Sequence, residues 1–152
     1  MHMKQTNDSN IEYARKVVAE DPMAVFLGIS LEAVDSAYSR LSLEIKPEYL
    51  NALDRAHGMA ISCLVDQAVA VASNATEFQT LTVELKINFL AAALPGDTLV
   101  AEARPLDMKR SLSLWEVVVQ DSRKNRVAVA QALAYHRPKA SKGKDDSGKT
   151  FE

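Results

Sequence analysis

The sequence predicts an α+β domain in which one helix, buried on nearly every side, is enclosed by an antiparallel sheet. Three observations carry this. Residues 57–74, HGMAISCLVDQAVAVASN, are apolar around almost the whole circumference of a helix, and such a helix is normally buried all round. Leu81, Val83, Leu85, Ile87 and Phe89 alternate with Thr82, Glu84, Lys86 and Asn88, the two-residue period of a half-buried strand. Three further strand-like runs follow, joined by the short polar links DMKRS and SRKNR, as antiparallel neighbours require. Only a sheet curled about the helix could cover it in a chain of this size.

Composition bounds the function classes. The 152 residues, 47% hydrophobic and 25% charged, suffice for one domain with a sizeable core. A formal charge of −2 supplies no general attraction to a phosphate backbone, so nucleic acid is not an expected partner. A single cysteine cannot close an internal disulfide, and MHMKQTNDSN lacks the apolar stretch of a secretory leader, so a cytoplasmic setting is expected. Residues 59–72 are interrupted by Asp66 and Gln67 and fall short of the roughly 20 apolar residues that cross a bilayer. His2, His57 and His136 show no ligand spacing and no glycine-rich phosphate loop is present, so neither a metal nor a nicotinamide cofactor is expected.

Taken in order, residues 10–20 carry Ile11, Ala14, Val17 and Val18 at helical spacing after Ser9 and predict a short amphipathic helix, ended by Asp21-Pro22. Residues 33–45 switch to alternation, with Leu41, Leu43 and Ile45 opposite Arg40, Ser42 and Glu44, and predict a strand. A polar connection over 46–56, containing Pro47, Asn51 and Asp54, leads into the helix. After the strand over 81–89, LPGD at 94–97 predicts a turn with Gly96 at positive φ, and residues 98–106, 112–121 and 126–137 predict three strands. Ala128, Ala130, Ala132 and Ala134 share one face of the last, leaving room for a helix to lie close. The expected organisation is an N-terminal extension over 1–20, one domain over 21–138, and a polar low-complexity tail over 139–152 expected to be disordered.

Asp66 is the anomaly. A lone aspartate in a helix is ordinarily a solvated surface residue, but Ser62, Val69, Ala70 and Ser73, one turn to either side, make no charged face. No Lys or Arg lies within four residues on the helix, so the carboxylate is expected to face a pocket rather than a salt bridge, because an unpaired buried charge is costly. At the helix start, Gly58 offers a free backbone N–H and the positive end of the dipole, which together can hold an oxyanion. A base and an oxyanion site are the parts that acyl transfer needs. Gly58 and Asp66 are about 12 Å apart on a straight helix, too far for one carbonyl to meet both. If they serve one substrate, two subunits share each site about a two-fold axis, and an obligate dimer is expected.

The stretch NALDRAHGMAISCLVDQAVAVAS, preceded by DPMAVFLGI and followed by LTVELKINFLAAALPGDTLVAEA, resembles the hotdog-fold acyl-CoA thioesterases of the PaaI-like type. The likeness runs from about residue 21 to residue 138 and rests on an Asn six residues before the HG histidine, an acid nine residues after it, and a hydroxyl residue opening the next strand. It implies a curved antiparallel sheet wrapped around one long helix, assembled as a dimer or dimer of dimers. It implies an acyl-CoA substrate, of which CoA is part, and no separate cofactor. Asp66 becomes the general base or nucleophile, and the N–H of Gly58 polarises the thioester carbonyl. Asn51 helps position the reacting groups, Thr82 positions the attacking water, and His57 braces the turn. Where the family usually has a second glycine after the histidine, this chain has Met59, whose N–H is expected to stay available while its side chain narrows the site.

Other candidates are weaker. Cys63 reads as packing, Trp115 and Tyr135 as core or interface residues. Lys109, Arg110, Arg123 and Lys124, with Arg126, fall in two strand connections and are candidates for the CoA phosphates, although exposed turns are commonly charged. Two alternatives stay open from sequence: a non-catalytic hotdog domain that binds acyl thioesters or serves assembly, and a hydratase or dehydratase, which would normally pair a catalytic histidine with an acid.

Overall fold

A computed structural model describes the backbone of residues 2–137 and the side chains of residues 8–137. The tail expected to be disordered lies outside these residues. Helix α1 (His2–Tyr13) passes into a π-helical turn at Ala14–Val18, followed by α2 (Pro22–Leu27), β1 (Ser30–Asp35), β2 (Tyr38–Glu44), a 3-10 turn at Pro47–Tyr49, α3 (Gly58–Asn74), β3 (Gln79–Phe89), β4 (Thr98–Met108), β5 (Leu112–Gln120) and β6 (Arg126–Arg137). The strands form one antiparallel sheet in the order β1-β2-β4-β5-β6-β3, curved around α3, and the predicted adjacency of the last three strands holds.

The core lies between the sheet's inner face and α3. Leu64, Val65, Ala68, Val69 and Val71 of the helix pack with Leu41, Leu43, Leu99, Trp115 and Val117 of the strands, all at or near zero exposure. The four alanines of β6 are buried on this face, and their short side chains let helix and sheet approach. Ser39 of β2 donates its hydroxyl to the Ala68 carbonyl (2.7 Å). At the far end of α3, Asn74 Nδ2 donates to Thr80 Oγ1 (2.9 Å), the Thr80 N–H donates to Asn74 Oδ1 (3.1 Å), and Ser73 and Thr80 share a short hydroxyl hydrogen bond. These bonds fix where β3 begins.

Four expectations change. The N-terminal helix starts well before residue 10, and its last turn is π-helical, closed by Ala19 N–H to Ala14 O (2.9 Å); the extra residue per turn leaves Ala14 buried while Val17 is exposed. Asp21-Pro22 follows the end of the first helical segment as expected but also starts a new one: Asp21 Oδ1 accepts the Ala24 N–H (2.9 Å) and Pro22 opens α2, as an N-cap and a proline in the first turn do, while Gly28 closes α2 at φ 70°. The single strand expected over 33–45 is a hairpin, β1 and β2, turning at Ser36-Ala37 with Ala37 at φ 54°. Finally, β3 does not keep one face. Thr82 pairs with Ala134 and Glu84 with Leu133, so Val83 is the extra residue of a β-bulge. Before the bulge Thr80 and Thr82 face inward; after it Leu85, Ile87 and Phe89 do, opposite the buried alanines of β6.

Among the described residues no helix is long and apolar enough to cross a membrane.

Candidate active site

Helix α3 is not covered all round, which corrects the sequence expectation. Met59, Ser62, Cys63, Asp66 and Ala70 form one stripe that the sheet leaves open, with Met59 69% exposed and Asp66 exposed on a helix otherwise in the core. The spacing is that of one helical face. The Asp66 carboxylate accepts no hydrogen bond and forms no ion pair among the described residues. One turn before it, burial pushes the Cys63 thiol up, and the charge of Asp66 adds to the rise; a thiol so placed is held in its unreactive form.

The helix entrance is built by its own loop. His57 is the N-cap: its Nδ1 accepts the Met59 N–H (3.0 Å), which places the ring proton on Nε2, and its backbone N–H donates to the Tyr49 carbonyl (2.7 Å). The Met59 N–H is therefore engaged, not available as expected. The Gly58 N–H makes no hydrogen bond among the described residues. Phe89 closes over this glycine, and a Cβ there would stand 3.2 Å from the far end of its half-exposed ring, so any side chain at 58 requires the ring to give by a few tenths of an ångström. Asn51 Oδ1 accepts the N–H groups of Leu53 (2.9 Å) and Arg55 (3.2 Å), folding the loop and orienting the amide so that Nδ2 points away from those bonds.

Asn51 and Gly58 line one cleft of about 480 Å³, with Arg55, Ile61, Phe89 and the segment 90–93. Asp66 and Thr82 lie elsewhere. Strand β3 returns alongside α3, from Thr80 at Ser73 and Asn74 to Phe89 at Gly58, so Thr82 stands level with the helix turn after Asp66. One chain thus keeps the candidate residues in two separate groups: Asn51 and Gly58 at the start of the helix, Asp66 and Thr82 about two turns on.

The predicted phosphate-binding cations do not come together on one chain. Lys109 and Arg110 precede β5, whereas Arg123, Lys124 and Arg126 follow it, and nine extended residues separate the groups by roughly 30 Å. Lys109 is paired with Asp107 (2.9 Å). Trp115 is in the core as expected; Tyr135 is 44% exposed on the sheet's outer face. Sequence reasoning missed Arg55 and Phe89 as cleft residues, the first because a loop arginine carries no periodic signal, the second because its place on the apolar face of the strand reads as packing and says nothing of the loop it meets. Among the described residues no group of His, Cys, Asp and Glu is disposed to hold a metal ion.

A curved six-stranded antiparallel sheet around one long helix is the hotdog fold. Residues 47–128 match the thioesterase superfamily. A protein from Archaeoglobus fulgidus, provisionally named an esterase, is 30% identical over 115 residues, 76% of this chain and 75% of its own. The acyl-coenzyme A thioesterase PaaI of Escherichia coli is 24% identical over 122 residues, 80% of this chain and 87% of its own; the solved E. coli PaaI structure superposes with a TM-score of 0.80 over 88% of this chain and 94% of that one, at 22% identity. A Streptococcus mutans protein solved with acetyl CoA bound has a TM-score of 0.71 at 26% identity, over 74% of this chain and 91% of that one. The chain belongs to the thioesterase superfamily, in its PaaI-like hotdog form. It is a thioester hydrolase.

Proposed function

We propose that the protein hydrolyses acyl-CoA thioesters to a free acid and CoA, at two equivalent sites that two copies of the chain build jointly. The observation that carries the reading is Asp66, a carboxylate without a partner among the described residues, on the open stripe of a helix otherwise in the core. The bound acetyl CoA of the S. mutans relative and the name of the E. coli relative support CoA as the thiol.

In this mechanism the thioester carbonyl oxygen accepts the Gly58 N–H of one copy, and Asp66 of the other copy works on the carbonyl carbon. By the first route Asp66 takes a proton from a water held by Thr82, the oxygen of that water bonds to the carbonyl carbon, and the tetrahedral oxyanion stays on the Gly58 N–H. Collapse breaks the carbon–sulfur bond, the thiolate leaves with the electron pair and takes the proton back from Asp66, and the free acid departs with the carboxylate of Asp66 restored. By the second route an Asp66 oxygen bonds directly to the carbonyl carbon, the carbon–sulfur bond breaks and the thiolate leaves with its electron pair, giving a mixed anhydride that water then opens to the free acid and the restored carboxylate. Asn51 Nδ2 orients the reacting groups, and His57 holds the helix entrance in place. A thiolate is already a good leaving group, so the chain's own groups suffice for either route. A positioned base is worth about 10² to 10⁴ in rate, and one fixed oxyanion donor about 10² to 10³.

The pairing of copies is supported by what β3 leaves bare. It is one of the sheet's two edge strands, the one next to α3's open stripe, and Leu81 and Val83 on it are more than half exposed. A second copy related by a two-fold axis would cover such an edge.

Two substitutions test the assignment. Thiol release from short, medium and aromatic acyl-CoAs should fall at least 100-fold in Asp66→Asn with the thermal midpoint unchanged; wild-type rates would remove Asp66 from the reaction. Gly58→Pro deletes one N–H at a first-turn position where proline suits the helix, the extended His57 before it (ψ 137°) tolerates a following proline, and the added Cβ asks the exposed end of the Phe89 ring to give by only a few tenths of an ångström. Its kcat should fall about 100-fold or more. Incorporation of labelled solvent oxygen into the enzyme's carboxylate under single turnover distinguishes direct attack from water activation.

A further inference from the structure

The loop that enters α3 carries a cation that the mechanism above does not use. Arg55 lines the cleft with Gly58 and Asn51, and among the described residues no carboxylate lies within 4.0 Å of its guanidinium. Among the described residues it donates to two carbonyls of its own loop, Leu53 O (3.5 Å) and Asp54 O (3.0 Å). Arg40 behaves differently: it is matched by Glu32 (2.6 Å) and Glu102 (2.5 Å).

The cleft's chemistry is one-sided. The side chains lining it include no carboxylate and no hydroxyl. The one acceptor among them, Asn51 Oδ1, is consumed by two backbone N–H groups, leaving Asn51 Nδ2 and the Arg55 guanidinium as donors, beside the unpaired Gly58 N–H. The other lining side chains are aliphatic or the Phe89 ring. A groove of this kind complements a mostly uncharged chain that carries carbonyls and ends in an anion. Phosphate suits the planar fork of arginine, and every acyl-CoA carries phosphates whatever its acyl group.

Resting on the reading of the protein as an acyl-CoA hydrolase, we propose that Arg55 is the phosphate contact of the substrate, so that the cleft beside Gly58 takes the CoA arm and not the acyl chain. The two separated turn clusters at either end of β5 then have no necessary part in holding those phosphates. One charge-assisted contact of this type is worth about tenfold or more in binding.

The test compares kcat/KM for a butyryl thioester of CoA with that for the butyryl thioester of N-acetylcysteamine, which has the same reacting group and no phosphate. The preference for the CoA thioester should fall about tenfold in Arg55→Ala through KM, and Arg55→Lys should recover part of it. An equal loss on both thioesters would mean that Arg55 only shapes the loop, and no loss on either would mean that it touches nothing; both overturn the proposal. A succinyl thioester of N-acetylcysteamine forms a third arm. If Arg55→Ala lowers its turnover selectively, the anion sits on the acyl group and the phosphate assignment falls. If the wild type turned over no thioester, the catalytic reading would fail by itself, and Arg55 would be judged on calorimetric titration with CoA alone: about tenfold weaker binding in Arg55→Ala upholds the contact, equal binding removes it.

Discussion

At position 113 a serine occupies a strand site whose inward neighbours are Trp115, Val117 and Val119, all fully buried. Its hydroxyl is needed there: Oγ accepts the indole N–H of Trp115 (2.6 Å) and meets His136 Nε2 at 2.8 Å. His136 is itself buried, stacked on Phe78 at 4.3 Å between centroids, and its Nδ1 has no partner among the described residues. Ser113→Ala strips partners from two buried nitrogens at once, and urea unfolding should show a loss of roughly 2–4 kcal/mol. Neither half of this cluster was legible in the sequence, because a lone serine and a lone histidine on different strands announce nothing until register brings them together. Asp66 was legible as an exception to an apolar pattern, and its lack of a cationic partner on the helix could be read directly. What the pattern could not show was that the stripe around it is open. Cys63 offers a probe of that stripe: with burial and then Asp66 both raising its thiol, iodoacetamide should alkylate it at pH 8 more slowly than free cysteine, and Asp66→Asn should quicken the reaction. An unchanged rate would mean that the carboxylate does not act on Cys63.

Among the elements, those with strong periods were read nearly in place: α3, and β4 to β6 to within two residues at each end. Those that depend on one conformational choice were not. The β1–β2 hairpin turns through Ala37 at φ 54°, a conformation usually announced by glycine or asparagine, so the alternating run looked unbroken. Helix α2 has only six residues, too few to display a period. Across β1, β2 and β4, Arg40 ties Glu32 to Glu102, and Arg104 adds to the ladder (3.3 Å to Glu102). The Arg40 hydrogen bond holds the Glu32 carboxyl below its ordinary value. A carboxyl lowered on folding stabilises fully above its unfolded pKa and loses that contribution as pH falls through the lowered one. Arg40→Met should therefore flatten the acid limb of the stability curve below about pH 4.5, with only a small loss at neutral pH, because both partners are partly solvated. A mutant as acid-sensitive as the wild type would show that the ladder contributes nothing.

For the molecule as a whole, sharing of sites between copies makes a prediction about mixtures. Asp66→Asn and Gly58→Pro chains should each be nearly inactive alone, yet after unfolding and refolding together half the dimers are mixed, and each mixed dimer has one complete site. Roughly a quarter of wild-type activity should return. No recovery would place both groups of a site on one chain. The edge strand allows a second check: Val83→Lys adds a charge of the kind that blocks strand-edge association, and should shift the sedimentation profile toward a single chain and abolish turnover together. Retained activity in the single chain would end the shared-site reading.

The extra residue at Val83 also governs how this scaffold can be recombined. Because it hands the inward positions from Thr80 and Thr82 to Leu85, Ile87 and Phe89, the number of residues between the first threonine and the phenylalanine is itself a structural quantity. Shuffled hybrids with relatives, or deletions meant to trim this strand, keep a sound interior only when that count is preserved. Removing one residue would turn either the threonines or the three apolar side chains outward, a heavier penalty than most single substitutions along the same strand could impose.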